Sequence, residues 1–126
     1  MQINVSHKNA FTLVEIMIVV AIIGLLAGIS TPNVLRAREQ GQLNAIISNL
    51  RIIESTKDQW AIDTKTGNGA QPLDTDIAQY LRNYKMPPTV VGETYYVNPV
   101  GSNATAALPA TIRLGSVGAG GTVTLP

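Results

Sequence analysis

Glu15 is the most unusual chemical group in this sequence, because it lies inside an otherwise apolar segment. Residues 11–29 read FTLVEIMIVVAIIGLLAGI, in which only Thr12 and Glu15 have polar side chains. A carboxylate at the centre of a bilayer costs about 2.5–3.5 kcal/mol on insertion scales, so an acid in such a segment indicates a function. Near the start of a helix its charge is favoured by the unpaired backbone N–H groups. The nearest candidate for a cationic partner is a new N-terminus at Phe11.

Other site chemistry is scarce in the sequence. The 126 residues include no cysteine and one histidine, His7, which excludes a disulfide framework, a thiol nucleophile and a Cys/His zinc site. Asp74 and Asp76 could offer oxygen ligands to a hard cation, but acids at this spacing are typical of helix starts, where they cap the backbone. Residues 118–121 are glycine-rich and indicate a turn, because no Lys-Ser/Thr follows them. We therefore predict no enzymatic activity, no metal site and no cofactor.

The composition is apolar for such a short chain. Hydrophobic residues make up 45% and charged residues 13%, and the formal net charge is +1. A nearly neutral chain has no overall field that would attract nucleic acid, so a basic nucleic-acid binder is excluded. As a helix, residues 11–29 would span about 28 Å, close to the ~30 Å hydrocarbon core of a bilayer.

The apolar segment has three interpretations. A buried core helix would need more surrounding chain than this small protein offers. A cleaved secretory signal is favoured by Lys8 before the segment and by the small residues at 28–30, but a disposable signal has no use for the cost of Glu15. The third interpretation is a retained membrane helix in which Glu15 has a function.

The start of this segment resembles the N-terminus of type IV prepilins and type II secretion pseudopilins. The resemblance rests on residues 10–15, AFTLVE, and on Gly24 and Pro32, where such helices carry a glycine and a proline. In this family a prepilin peptidase removes a short hydrophilic leader directly before a Phe, and the new amine is methylated. The resemblance implies cleavage between Ala10 and Phe11 and N-methylation of Phe11. The family usually has Gly at the position of Ala10.

The resemblance also implies three parts and a set of partners. Residues 1–10 would be the leader, residues 11–32 the transmembrane and filament-core helix, and residues 33–126 an amphipathic helix with a periplasmic globular head. The chain would cross the inner membrane once with its N-terminus in the cytoplasm, and would then join a periplasmic pseudopilus or an extracellular pilus. Its partners would be the prepilin peptidase, an assembly platform membrane protein, minor pilin-like subunits and copies of itself. In assembly, Glu15 of one copy would meet the Phe11 amine of the next.

Residues 24–32 are predicted to be the weakest stretch of the first helix. Pro32 lacks an N–H group and crowds the preceding turn, so it favours a loosened or bent helix. Gly24 and Gly28 form a small-xxx-small pair that lets helix backbones approach closely, although glycine is also simply common in membrane helices.

From residue 33 to about residue 64 the pattern indicates an amphipathic helix with one buried face. The residues of that face are Leu43, Ile46, Ile47, Leu50, Ile53, Lys57, Trp60 and Ala61. A loop at residues 66–72 and a short helix with Asp74 or Thr75 as its N-cap follow. Strands are predicted at residues 89–91, 94–97, 112–114 and 122–125. The predicted fold class is α+β, a long N-terminal helix packed on a small antiparallel β-sheet head.

Together these features predict a structural subunit of a type IV pilus-like filament. The short, weakly charged head without cysteine favours a type II secretion pseudopilin. A type IV pilin for adhesion or motility is one alternative. A membrane-tethered periplasmic binding module that does not polymerise is another.

Overall fold

The computed structural model describes residues 1, 2 and 9–126. Most of the predicted leader, including Lys8, lies outside the described residues. The described elements are helix α1 (Leu13–Thr64), helix α2 (Asp74–Ala78), a 3₁₀ turn (Arg82–Tyr84) and strands β1 (Thr94–Tyr96), β2 (Thr105–Ala107) and β3 (Thr122–Thr124). The chain forms two compact units, an N-terminal unit (Met1–Leu35) and a head unit (Arg36–Pro126).

The N-terminal unit consists chiefly of the first part of α1, and it has no buried side chain among its described residues. The large apolar side chains of residues 11–35 keep 49–81% of their surface exposed. A helix that is apolar on every side is stable only where something other than water covers it.

Helix α1 continues without a break through Gly24 and Pro32. Proline removes one backbone hydrogen bond of the ladder. Directly before Pro32, the hydroxyls of Ser30 and Thr31 each donate to the carbonyl four residues before them, at 2.9 Å. Such contacts often bend helices. The predicted weakness of residues 24–32 stays a prediction.

In the head unit, α1 buries one face of its second part, as the apolar periodicity predicts. Ile46, Leu50 and Ile53 are fully buried, and Lys57 lies on the same face. The rest of the core comes from α2, the sheet and the connecting loops, through Ile77, Leu81, Val97, Ala104, Ala106, Leu108, Leu114 and Val123. The amphipathic helix is thereby confirmed, and it ends at Thr64 before the predicted loop.

The sheet has three antiparallel strands in the order β1-β2-β3. Its central register places Tyr95 opposite Ala106 and Ala106 opposite Val123. Ala106 and Val123 are buried, whereas Thr122 and Thr124 on either side of Val123 are exposed. This alternation is the expected consequence of the two-residue period of a strand with one covered face. The predicted α+β class is confirmed.

Two of the four predicted strands are wrong and one observed strand was not predicted. Residues 89–91 form no strand, because the backbone N–H groups of Val90 and Val91 donate to the Glu93 carboxylate instead of to a neighbouring strand. Residues 112–114 contribute only an isolated bridge. The central strand β2 has the sequence Thr-Ala-Ala, which carries little intrinsic β propensity.

The segment after the loop forms a shorter helix than predicted, because the spacing of Ile77, Tyr80, Leu81 and Tyr84 at i, i+3, i+4 and i+7 indicates a helix that continues to residue 84. Its N-cap is Leu73, not Asp74 or Thr75, and the Asp76 carboxylate accepts the Leu73 N–H at 3.1 Å. Helix α2 ends at Ala78, and the chain then forms a 3₁₀ turn that contains left-handed backbone, with φ of 64° and 54° at residues 83 and 84.

Candidate functional site

At the start of α1, Glu15 and Thr12 are joined by three reciprocal hydrogen bonds. The Thr12 hydroxyl accepts the Glu15 N–H at 3.2 Å. In return the Glu15 carboxylate accepts the Thr12 backbone N–H at 2.8 Å and the Thr12 hydroxyl proton at 3.0 Å. Because α1 begins at Leu13, Thr12 is the N-cap and Glu15 is the third helical residue. This arrangement is a capping box, which satisfies backbone donors that a helix start leaves unpaired.

Thr12 is the residue that the sequence reasoning missed. Its signal was present, since a threonine three residues before a glutamate and directly ahead of an apolar run is the sequence signature of a capping box. Glu15 therefore has a local structural role in the isolated chain. Within the described residues, both hydrogen bonds to the carboxylate go to the same oxygen, Oε2, and the Glu15 side chain is exposed.

A shallow recess of about 500 Å³ lies beside Glu15 and is lined otherwise by Phe11, Ile16, Ile18 and Val19. Among the described residues that line it, Glu15 is the only charged one. The recess therefore places one carboxylate among exposed apolar side chains, and its attraction for a cation would exceed that in bulk water once lipid or protein covers the recess.

The predicted site residues fall into two groups. Ala10, Phe11 and Glu15 lie together within six residues at the start of α1, and all three are exposed. Gly24 and Pro32 lie further along the helix, also exposed, and contribute nothing to the recess. Apart from its chain neighbours and the backbone of its own helix, no described atom lies within 4 Å of a Cβ placed at Gly24, so the glycine leaves room on the helix surface that no other described residue fills.

Among the described residues, α1 is the helix that is long and apolar enough to cross a bilayer. No residue in its most apolar stretch is buried. The interpretation of residues 11–29 as a core helix is therefore wrong, since a core helix would be covered by the rest of its own chain.

The head unit contains a second carboxylate in an unusual setting. Glu93 is only 2% exposed. Burial by itself raises its pKa, but hydrogen bonds from the Tyr95 hydroxyl and from the N–H groups of Val91 and Val90 outweigh burial and bring the pKa below 4.5. For Tyr95, burial and the bond to Glu93 raise the pKa to about 12. Glu93 is therefore a charged, fully used acceptor that holds the chain ahead of β1.

Lys57 is a fully buried ammonium in the same unit. Its Nζ atom lies 2.9 Å from the Glu54 carboxylate and donates to the carbonyls of Pro99 and Ser102. The second oxygen of Glu54 accepts the Ala104 N–H at 2.9 Å. These contacts fasten the loop between β1 and β2 to α1, so both charged groups have a structural use.

Catalytic and metal chemistry have little basis among the residues that the structure describes. No group of three or more potential metal ligands occurs there. Of the four tyrosines, Tyr80, Tyr84 and Tyr96 are 39%, 76% and 52% exposed, whereas the Tyr95 hydroxyl is bound inside the head.

Comparison with known proteins places the similarity in the same region as the capping box. A family model described as the prokaryotic N-terminal methylation motif matches residues 5–31. The chain is 31% identical over 85 residues to type II secretion system core protein G of Klebsiella pneumoniae, covering 63% of this chain and 61% of that protein. It is 34% identical over 84 residues to the protein of the same name from Pectobacterium carotovorum, covering 62% and 54%.

The matched region thus spans between half and two thirds of the length of these curated relatives. No solved structure matches the chain significantly.

Proposed function

Because the chain belongs to the family of type IV pilin-like proteins and pseudopilins, we propose that it is a type II secretion pseudopilin. In this proposal it is a structural subunit, inserted once in the inner membrane with its N-terminus in the cytoplasm and its head in the periplasm. Copies of it polymerise into a periplasmic filament through their N-terminal helices. Minor pilin-like subunits take part in the filament, and an assembly platform membrane protein supports its growth.

The observation that carries the proposal is the uncovered apolar helix of the N-terminal unit with one carboxylate at its start. The large apolar side chains of residues 11–35 are at least 49% exposed, so lipid or neighbouring helices must cover them. A membrane covers them before assembly, and the same helices of other subunits cover them afterwards. A subunit that moves from the membrane into a filament needs such a surface, which contacts lipid first and neighbouring helices afterwards.

Processing would create a cationic partner for the Glu15 carboxylate. Cleavage after Ala10 turns the Phe11 nitrogen into an amine, which carries a positive charge near neutral pH and keeps it after methylation. A cation entering the recess beside Glu15 could bind the Oε1 atom of the carboxylate, because both hydrogen bonds from Thr12 go to Oε2. When the Phe11 amine of one subunit pairs with the Glu15 carboxylate of the next, the two charges neutralise each other in an apolar environment, and the contact fixes the axial register.

The test uses the full chain, produced together with a prepilin peptidase and the assembly proteins of a type II secretion system. Mass spectrometry of the mature protein should give an N-terminus at methylated Phe11, and filaments sheared from the cells should contain the chain. We expect Ala10→Gly to increase the processed fraction, since the family usually has Gly at this position.

Each other outcome selects a different function. A mature N-terminus near residues 28–30 would indicate an ordinary secretory signal and overturn the assignment. Methylated Phe11 without filaments would favour a membrane-tethered periplasmic module. Long extracellular filaments that depend on a retraction ATPase would favour a type IV pilin.

A further inference from the structure

A groove of about 420 Å³ opens on the head unit between α1 and the segment that follows α2. Its walls combine apolar side chains with two cations and an amide, and they include Asn49, Ile52, Arg82, Lys85, Met86 and Pro88. Ile52 is 45% exposed although it lies on a helix that buries its neighbour Ile53. The groove therefore presents an apolar floor with positive charge at its rim.

The groove is held open by the backbone around it. Asn83 and Tyr84 both have left-handed backbone, with φ of 64° and 54°, and such strain persists only where the surrounding structure enforces it. On the opposite wall, the Asn49 amide donates to the Pro88 carbonyl at 3.1 Å and to the Tyr95 hydroxyl at 2.8 Å. A groove with fixed walls loses little conformational entropy when it binds a partner.

The two cations of the groove have no internal partner in the part of the chain that the structure describes. Neither Arg82 nor Lys85 lies within an ion-pair distance of a carboxylate there, and the one ion pair found joins Lys57 to Glu54. Both side chains are exposed. The rim thus has a free double positive charge next to an apolar floor, which fits a partner that offers an acid beside a large apolar side chain.

The same head unit presents such a partner at the start of α2. Leu73 is 66% exposed, and the next residue, Asp74, is exposed with no hydrogen bond to the described residues. The N-cap of α2 uses the Leu73 N–H group and the Asp76 carboxylate, so the side chains of Leu73 and Asp74 take no part in it. An exposed apolar side chain and an exposed acid therefore lie next to each other, and the acid has no hydrogen bond or ion pair with the residues that the structure describes.

We propose that the groove at Ile52, Arg82 and Lys85 receives the Leu73-Asp74 tip of a second copy of this chain. Leu73 would lie on Ile52 and Met86, and the Asp74 carboxylate would meet Arg82 or Lys85. Because the groove and the tip are different surfaces, the contact is heterologous and repeats from copy to copy, which is compatible with the open array of a filament and does not produce a closed two-fold dimer. The inference rests on the proposed filament function and adds to it a contact between the head units of neighbouring copies.

The test exploits the absence of natural cysteine from the sequence. The full chain with Leu73→Cys and Ile52→Cys is assembled in cells and oxidised, and covalent species are separated on a non-reducing gel. A ladder of dimers, trimers and higher species is expected, because each copy would be linked at both surfaces. The matched control combines Leu73→Cys with Thr122→Cys, which is exposed on β3, and should give no ladder. Each single-cysteine chain should stop at the dimer.

Charge reversal gives an independent measurement. Arg82→Glu and Asp74→Arg should each reduce the amount of filament about five- to tenfold, since like charges would then face one another, and the double variant should recover most of it. Filaments that form no ladder when Leu73→Cys and Ile52→Cys are oxidised, and that the double charge-reversal variant does not restore, would overturn the contact between head units. The pseudopilin proposal would then stay intact. Absence of filaments from the unaltered chain would instead contradict the pseudopilin proposal itself.

Discussion

The N-terminal unit and the head unit use their charged side chains in opposite ways. In the N-terminal unit, Glu15 is exposed and its contacts reach only three residues along the chain, to Thr12. In the head unit, Lys57 is fully buried and its contacts reach more than 40 residues along the chain. Both of the hydrogen bonds that the Glu15 carboxylate accepts within the described residues go to its Oε2 atom, whereas the Lys57 ammonium is already surrounded by the protein's own oxygens.

This contrast separates assembly from stability. A charge that is fully satisfied inside its own chain contributes to the fold, and its removal leaves buried polar groups without partners. A charge that is satisfied on one side only, in an apolar setting, gains most when a second molecule arrives. Substitutions in the two units should therefore give different defects.

The largest effect is expected from Glu15→Ala. The variant should insert into the membrane at least as well, because it removes an acid from the apolar segment. Filament formation should fall more than about a hundredfold, since breaking a buried ion pair costs about 3 kcal/mol or more per contact. Electron microscopy of sheared filaments and membrane fractionation measure the two properties separately.

Two further variants show whether charge is the cause. Glu15→Gln keeps an oxygen that can accept the Thr12 N–H but has no charge, and it should also fail to assemble. Asp63→Ala removes an exposed acid further along the same helix and should assemble normally. Normal filaments from Glu15→Ala would remove the basis for a functional carboxylate in this segment.

The next effect is expected from Lys57→Met, in the stability of the head. The carbonyls of Pro99 and Ser102 would lose their donor, and Glu54 would lose its cation while remaining partly exposed. We expect the free energy of unfolding to fall by about 2–3 kcal/mol. Urea unfolding of the full chain in detergent, followed by the fluorescence of Trp60, measures this change, because Trp60 is the only tryptophan and packs on the core.

Lys65→Met is the matched control for that measurement. Lys65 is exposed beyond the end of α1, and its loss should change the free energy of unfolding by less than about 0.5 kcal/mol. A Lys57→Met head that is as stable as the unaltered one would mean that the loop between β1 and β2 is held by its apolar contacts alone.

A smaller effect, with a pH signature, is expected from Tyr95→Phe. The change removes a donor to Glu93 and an acceptor for Asn49, and should cost about 1–2 kcal/mol. Because the folded-state pKa of Glu93 is lowered, its contribution is present above about pH 4.5 and is lost as the pH falls through the folded-state pKa. Tyr95→Phe should raise that pKa and shift acid unfolding to higher pH.

The alkaline side of the same pair has the opposite sign. The pKa of Tyr95 is raised to about 12, so its contribution is present below about pH 10 and is lost as the pH rises through 12. In Tyr95→Phe this alkaline loss should be absent. Tyr96→Phe, one residue away and 52% exposed, should leave both limbs of the stability curve unchanged.

The two units also differ in how much of them the sequence reveals. The apolar segment and the stripe around Leu50 follow from local composition and helical periodicity, and the described helix bears them out. The role of Glu15 in assembly stays a prediction. The helix end at Thr64 was predictable because the glycines at 67 and 69 follow it directly. These are short-range patterns, in which neighbours in sequence decide the structure.

The head was harder to predict because distant contacts decide it. Strand β2 exists because Ala106 is enclosed between β1 and β3 and not because Thr-Ala-Ala favours a strand. The predicted strand at residues 89–91 is absent because Glu93 accepts its N–H groups, a competition that propensity does not register. The groove beside Ile52 needs two left-handed residues, neither of them glycine, and no sequence rule places these there.

The smallest effect is expected from Thr12→Val, and it decides which role of Glu15 matters. Valine keeps the branched shape but removes the hydroxyl, so the capping box loses the bonds at 3.0 and 3.2 Å and keeps the one at 2.8 Å. Loss of an N-cap side chain costs about 1 kcal/mol, which corresponds to at most about a fivefold decrease in filaments. Hydrogen exchange of the first turn of α1 should rise, while assembly should stay far above that of Glu15→Ala. If Thr12→Val abolished filaments as completely as Glu15→Ala, the carboxylate would act as a helix cap, and the distinction between the charge awaiting a partner and the charges satisfied within the chain would fail.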